Sequence, residues 1–206
     1  MPGHASVVET LDGLAAILER DVNLAIWRAA DPVRTPDASA LSAIEDVAIT
    51  LEAAAIGRAL LGVLATAGYA PMYAAPIAAD IARLGRCVAR IADCTSVDIR
   101  LEVVETDACR KFHADYVGVR LICTYVGAGT QWLTNDDAAR LRRGVDAADL
   151  AIRALATGDV AIFKGRLWSE DAAIVHRSPP IAGTGARRLV LVIDPARAGQ
   201  PDFDRA

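Results

Sequence analysis

Two histidines and one aspartate carry the strongest chemical signal in this sequence. His113 and Asp115 are separated by one residue, and His176 follows much later in the chain. Residues two apart on an extended strand project from the same face, so His113 and Asp115 can bind one metal ion together. Two imidazoles and one carboxylate form the facial triad of non-haem Fe(II) oxygenases, which leaves positions open for a chelating ligand and dioxygen. The spacing therefore predicts a metal site built from His113, Asp115 and His176.

Two adjacent arginines, Arg187 and Arg188, open a strongly apolar segment beyond His176. A guanidinium group can bind a carboxylate through two parallel hydrogen bonds. Because neighbouring residues of a strand face opposite sides, one of these arginines is expected to point into a pocket and the other to meet solvent. We favour Arg188 for the inward position, with Arg187 as the alternative.

Each part of this pattern also has a simpler interpretation. His113 and Asp115 can share a hydrogen bond at a strand end, and Asp115 can instead cap the turn before Gly118. Cys109 has the same strand parity as His113, but four residues of a straight strand span roughly 13 Å, so a thiolate ligand would need a bulge. A buried thiol is the preferred interpretation of Cys109. The order of the histidines, the aspartate and the arginines along the chain is what favours the metal site.

The elements that must position these side chains change in character halfway along the chain. Before residue 97 the apolar spacing is helical, with one short strand at residues 23–27. From residue 97 onward, alternating polarity and glycine or proline punctuation predict strands. Helices are predicted at residues 7–20, from about 37 to 55, before Gly68, from 76 to 91 and at 136–156, and strands at 97–103, 119–126, 160–164, 172–175 and 188–193.

Several stretches of the second half resemble the core of Fe(II)- and 2-oxoglutarate-dependent dioxygenases of the prolyl-hydroxylase type. A closer resemblance is to a bacterial family known as DUF1826, through the runs ACRKFHAD at residues 108–115 and HRSPP at 176–180. The resemblance covers about residues 97–194. It rests on residues 112–115, 120–125, 158–163, 175–180 and the strand from Arg188 onward.

This resemblance implies an α+β fold with a double-stranded β-helix, or jelly roll, in the C-terminal half. The jelly-roll core is expected over residues 97–198, interrupted by the helix at about 136–156. The mainly helical residues 1–96 are expected to pack on it, so that residues 1–206 form a single domain.

The resemblance also implies roles for individual side chains. His113, Asp115 and His176 are expected to hold catalytic iron, and Arg188 or Arg187 is expected to pair with the distal carboxylate of 2-oxoglutarate. Tyr125 or Thr124 is expected to bond to the same cosubstrate. Only one of these two can face inward, because they are adjacent in a strand.

The implied function is that of an oxidoreductase, a dioxygenase that hydroxylates an unknown substrate with Fe(II) and the small-molecule cosubstrate 2-oxoglutarate. Imidazole and carboxylate also suit zinc, and DUF1826 members tend to lie near genes of zinc homeostasis. The alternative is therefore a non-catalytic, zinc-binding accessory protein of metal homeostasis. A cupin-like isomerase or hydrolase with the same triad is a third hypothesis.

Composition limits the remaining possibilities. The chain has 206 residues, long enough for a sizeable core, and its net charge of −4 argues against a nucleic-acid partner. Four cysteines without a secretory leader predict reduced thiols and a cytoplasmic protein. Residues 59–79 carry no formal charge, but their alanines, glycines and prolines favour a buried helix over a membrane span.

Overall fold

The computed structural model describes residues 4–31 and 33–196 of the chain. Within these residues, ten strands form two sheets, accompanied by three α-helices and three short 3-10 helices. The α-helices are α1 (Ile56–Thr66), α2 (Pro71–Ile91) and α3 (Asn135–Arg142). The strands are β1 (Ala5–Val8), β2 (Leu24–Arg28), β3 (Val47–Glu52), β4 (Ser96–Val104), β5 (Val119–Val126), β6 (Gln131–Trp132), β7 (Arg153–Ala154), β8 (Asp159–Lys164), β9 (His176–Arg177) and β10 (Arg188–Pro195).

The larger sheet has seven strands in the order β1-β2-β8-β5-β10-β4-β3. Neighbouring strands are antiparallel except for the β1–β2 pair. Strands β5, β8 and β10 lie in the interior of the sheet and are buried on both faces, so their sequences are nearly continuous apolar runs. The fold is therefore mixed, with α-helices beside a large and mainly antiparallel sheet.

Helices α1 and α2 cover one face of the larger sheet, and they confirm the helices expected before Gly68 and up to residue 91. Val97, Ile99 and Leu101 alternate along β4 and are fully buried in the same apolar cluster as Ile77 and Ile81 of α2. This cluster draws on both halves of the chain and removes a large apolar area from water. No helix within the described ranges is both long and apolar enough to cross a membrane.

The smaller sheet, in the order β7-β6-β9, lies over the opposite face of the larger sheet. Trp132 of β6 packs there against an apolar cluster that includes Ile122 of β5, Phe163 of β8 and Val190 of β10. Because residues two apart in a strand share a face, other even-numbered residues of β5 and β10 point into the same space between the sheets. The buried polar side chains of Thr124 and Arg188 also lie in this space.

The first half of the chain contains more strand than its apolar spacing indicates. The helix expected from about 37 to 55 is instead a 3-10 helix (Ala40–Ala43) followed by strand β3. The helix expected at residues 7–20 is replaced by the end of β1 and a 3-10 helix (Asp12–Leu18), whereas β2 confirms the expected strand. Strands β1, β2 and β3 join the larger sheet, so this sheet extends beyond the C-terminal half. Local spacing misleads at β3 because this edge strand is formed by pairing with β4.

The second half differs from expectation in two places. Helix α3 ends at Arg142, well before residue 156, because Gly144 adopts a left-handed φ of 89°. A 3-10 helix (Ala147–Asp149) and the two residues of β7 follow it. Residues 172–175, expected as a strand, are irregular and lead into β9. Residues 197 and 198 of the expected core lie outside the described residues.

Candidate metal centre

The two distant histidines are brought together by main-chain pairing. The N–H of His113 donates to the carbonyl of His176 at 3.0 Å, and the N–H of His176 donates to the carbonyl of His113 at 2.9 Å. This antiparallel bridge places His113 beside β9, on the side away from Trp132. Directly opposite residues of such a pair project from the same face, and the two imidazole centroids are 4.7 Å apart.

Asp115 lies against both imidazoles. Its Oδ1 is 3.4 Å from Nε2 of His113, and its Oδ2 is 3.2 Å from Nε2 of His176. One possible ligand atom from each of the three residues lies within 4.8 Å of the others. The His113 side chain is 37% exposed, whereas those of Asp115 and His176 are only 11% and 8% exposed. The three grouped side chains are therefore accessible to solvent mainly on the His113 side.

The orientation of both imidazole rings is set by the main chain. Nδ1 of His113 lies 2.9 Å from the carbonyl oxygen of Lys111, and Nδ1 of His176 lies 3.2 Å from that of Ile174. A carbonyl oxygen only accepts hydrogen bonds, so each Nδ1 must carry the proton. When the ring is neutral, Nε2 therefore carries no proton, and in both histidines this atom is directed at the space beside Asp115. This is the tautomer that a histidine needs in order to bind a metal through Nε2.

Asp115 is held from the other side by Arg120 of strand β5. Nη1 of Arg120 donates to Oδ2 of Asp115 at 2.7 Å. The same guanidinium donates through Nε and Nη2 to the two carboxylate oxygens of Asp194, at 2.8 and 2.6 Å. All three side chains are at most 15% exposed. The carboxylate beside the histidines thus belongs to a mostly buried ionic chain.

These contacts shift the pKa values of the group. Burial raises the pKa of Asp115, but hydrogen bonds from His113 and His176 and the charges of His176 and Arg120 outweigh it, so the net shift is downward. The hydrogen bond with Asp115 raises the pKa of His113, against a smaller opposing effect of burial. In the metal-free group, Asp115 and His113 therefore stabilise each other's charged forms.

Arg188, the first residue of β10, is buried between the sheets and is 1% exposed. Its Nε donates to the carbonyl of Ala128 at 2.6 Å, and its Nη1 donates to the Ser178 hydroxyl at 3.0 Å. Its Nη2 contacts the hydroxyls of Thr124 and Thr130 at 3.4 and 3.3 Å. Burial lowers the pKa of Arg188 to about 10, which leaves the guanidinium charged at neutral pH. These partners are all neutral, so none of them balances the buried positive charge.

The structure does not bring Arg187 or Tyr125 to this region. Arg187 pairs with Glu105 near the surface. Tyr125 faces the helices, where its hydroxyl donates to Asp80 of α2 at 2.5 Å. Of the two adjacent pairs considered from the sequence, Arg188 and Thr124 are the members that point between the sheets.

Cys109 is not among the three grouped residues. It has a φ of 57° and is exposed, so the expectation of a buried thiol is wrong. The left-handed turn at Cys109 interrupts the extended chain before His113. The alternation of side-chain directions seen in a strand therefore cannot be extended from His113 back to Cys109. Its carbonyl accepts the N–H of Ser178 at 3.0 Å, which ties the two segments together near β9.

The sequence analysis does not identify four polar residues of this region: Arg120, Thr130, Ser178 and Asp194. The sequence does contain an indication for Arg120. It is a charged residue in an otherwise apolar strand, and it lies an even number of residues from Thr124, so both side chains are on the same face. Thr130 and Ser178 lie in irregular segments, where strand periodicity indicates no direction for a side chain.

The donor set suits a divalent transition metal. Two neutral imidazole nitrogens and one carboxylate oxygen are ligands that both Fe(II) and zinc accept. The carbonyls at each Nδ1 and the guanidinium at Asp115 are the outer contacts that orient such ligands. His113, Asp115 and His176 are thus the residues that would hold the ion.

A sequence profile of the family described as "Protein of unknown function (DUF1826)" matches residues 9–194. No curated protein matches the chain in sequence.

Several solved structures are similar to this chain. The dioxygenase for auxin oxidation from rice is 13% identical and has a TM-score of 0.52, over 93% of this chain and 82% of that one. A prolyl-4-hydroxylase from Pseudomonas putida is 12% identical, with a TM-score of 0.49 over 92% of this chain and 100% of that one. AviO1 from Streptomyces viridochromogenes is 17% identical, with a TM-score of 0.43 over 94% of this chain and 99% of that one. At such identities the likeness to the rice enzyme concerns the fold alone.

Proposed function

The chain belongs to the DUF1826 family, and on that premise we propose that it is an Fe(II)- and 2-oxoglutarate-dependent dioxygenase that hydroxylates an organic substrate. The observation that carries the proposal is the convergence of His113, Asp115 and His176, with Nδ1 of each imidazole bound to a main-chain carbonyl and both Nε2 atoms directed at one space. Three protein ligands of this kind leave coordination positions for other molecules. The fold shared with a plant dioxygenase is consistent with this chemistry.

Arg188 supports 2-oxoglutarate as the cosubstrate. A dicarboxylate that binds a metal through one end presents a second carboxylate some distance away, and a buried guanidinium is a suitable partner for it. Ser178 follows His176 by two residues and contacts Arg188, so the arginine lies beside the histidine strand. The hydroxyls of Ser178, Thr124 and Thr130 are additional donors for the same carboxylate.

The protein residues would then have separate tasks. Bound iron with 2-oxoglutarate supplies the oxidation chemistry, in which dioxygen is used to hydroxylate a C–H bond. The main-chain carbonyls at Nδ1 hold both imidazole rings in the binding tautomer. Phe163, whose ring centroid is 4.7 Å from that of His176, covers the buried side of the group and excludes water there.

The two sheets on either side of this space are the parts that we assign to a double-stranded β-helix. The assignment differs from the sequence expectation in one respect. Strands β1, β2 and β3 from the first half of the chain extend the larger sheet, so the jelly roll is not built from residues 97–198 alone.

The test is anaerobic addition of Fe(II) and 2-oxoglutarate to purified protein, followed by absorbance spectroscopy. We expect a visible metal-to-ligand charge-transfer band that requires both additions, and release of succinate when air is admitted. Absence of the band at saturating Fe(II) would contradict the proposal. Zinc that is retained through purification, without 2-oxoglutarate binding or succinate release, would instead support the accessory zinc-binding role.

A further inference from the structure

Arg120 joins two carboxylates that come from different parts of the chain. One edge of its guanidinium donates to Oδ2 of Asp115, and the Nε–Nη2 edge forms a two-point contact with Asp194. A planar guanidinium has five N–H donors in a fixed fork and can meet two carboxylates at once. A lysine ammonium in this position would be a point charge and could not reproduce both contacts.

The side chain of Arg120 is itself held firmly in place. It projects from β5 in the interior of the larger sheet, and Asp194 lies next to it on β10. Asp194 also lies 3.5 Å from Nη2 of Arg100 on the next strand, β4. A row of alternating charges thus crosses three neighbouring strands and ends at Asp115. Since the strands are fixed by the hydrogen bonds of the sheet, the row gives Asp115 a rigid support.

We propose that Arg120 is a positioning residue of the metal centre, which fixes the Asp115 carboxylate against both imidazoles before an ion binds. By occupying a lone pair of Oδ2, the guanidinium also limits how far Asp115 can chelate an ion through both oxygens. The inference rests on the metal-binding part of the proposed function and does not depend on oxygenase activity.

Two effects of Arg120 on metal affinity oppose each other. Its positive charge repels a cation bound close to Asp115, so removing the charge by itself would tighten metal binding. Its hydrogen bonds hold the carboxylate in the binding orientation, so removing them weakens metal binding. Outer-shell partners of metal ligands typically contribute a factor of about 10 to 100 in affinity. Because Arg120 binds both Asp115 and Asp194, we expect its effect on the orientation of the Asp115 carboxylate to exceed the effect of its charge on the metal ion.

The test compares Mn(II) binding by wild type, Arg120→Gln and Arg120→Lys, measured by titration calorimetry under identical conditions. Both variants are expected to bind Mn(II) about 10- to 100-fold more weakly than wild type. Arg120→Lys distinguishes the two effects, because it keeps the positive charge and loses the fork. Binding by Arg120→Gln that is as tight as in wild type, or tighter, would overturn the inference.

A matched control separates positioning from general damage to the fold. Arg83 forms an ion pair with the buried Asp80 on the helix side of the sheet, at 2.6 Å. Arg83→Gln is therefore expected to alter the melting temperature of the metal-free protein and to leave Mn(II) affinity unchanged. A loss of Mn(II) affinity in Arg83→Gln as large as in the Arg120 variants would also overturn the inference.

A second variant covers the case in which Arg120→Gln fails to fold. Asp194→Asn removes the charged anchor behind Arg120 and leaves Asp115 and its arginine in place. It is expected to weaken Mn(II) binding in the same direction by a smaller factor, and unchanged affinity would count against the positioning role. If wild type itself binds no Mn(II), the metal site is wrong and the inference fails with it. If wild type binds Mn(II) and the Arg120 variants match it, the inference alone fails.

Discussion

His113 and His176 donate main-chain hydrogen bonds to each other's carbonyls, at 3.0 and 2.9 Å. The convergence of their imidazole rings therefore follows from backbone pairing and does not require a metal ion. A ligand pair that is ordered in advance lowers the conformational entropy lost when an ion binds. The site is consequently expected to retain its shape in the metal-free protein.

The first prediction concerns removal of one ligand while the backbone bridge is kept. His113→Ala leaves both main-chain hydrogen bonds possible, because neither uses the side chain. We expect Mn(II) affinity to fall by at least about 100-fold, since a direct ligand should matter more than an outer-shell partner. Calorimetric titration measures the change. His4→Ala, which alters the remaining histidine of the chain, is the control and should bind Mn(II) as wild type does.

The second prediction distinguishes the two adjacent arginines. Arg188→Lys replaces the buried fork with a point charge, whereas Arg187→Gln removes a guanidinium that pairs with Glu105 near the surface. In the presence of Mn(II), Arg188→Lys is expected to weaken 2-oxoglutarate binding about 10- to 100-fold, because a charge-assisted hydrogen bond is worth about 1.5–3 kcal/mol. Arg187→Gln should have little effect. Equal losses in the two variants would contradict the assignment of Arg188 as the carboxylate anchor.

The third prediction is that stabilisation by metal increases with pH. The hydrogen bond with Asp115 raises the pKa of His113 in the folded protein. The stability contributed by the protonated pair is fully present below the unfolded pKa of about 6.5 and is lost as pH rises through the raised folded pKa. A metal ion requires the deprotonated ring, so it competes with the proton at low pH and binds better at high pH. The increase in melting temperature caused by Mn(II) should therefore be larger at pH 8 than at pH 6. A shift that does not depend on pH would rule out His113 as a ligand.

The fourth prediction tests the position of Tyr125 on the helix side of the sheet. Its buried hydroxyl donates to Asp80, and Tyr125→Phe removes a hydrogen bond to a charged group. The free energy of unfolding is expected to fall by about 1.5–3 kcal/mol, with no change in binding of metal or 2-oxoglutarate. Tyr69→Phe is the matched control, because the described residues offer its buried hydroxyl no hydrogen-bond partner. This control should lose little or no stability, as denaturant unfolding can show. Weakened 2-oxoglutarate binding in Tyr125→Phe would place Tyr125 at the site after all.

The fold was predictable where a local pattern and its long-range environment agree. Strands β4, β5, β8 and β10 were expected at nearly their observed positions, since alternation or continuous burial is visible in the sequence itself. Strand β3 was not, because its residues also satisfy helical spacing and its pairing with β4 decides the outcome. The strands of the smaller sheet are two residues long and too short to show any period.

The candidate site was likewise predictable only in part. The order of amino acids specified which residue types were available and, through the two-residue spacing, allowed His113 and Asp115 to share a face. Tertiary structure alone decided that His176 pairs with His113, that Arg188 and Thr124 point inward, and that Arg120 supports Asp115. The physical reason is that strand periodicity specifies opposite faces without specifying which face is covered by helices. That choice, and the partner of each strand, depend on contacts between residues far apart in the chain.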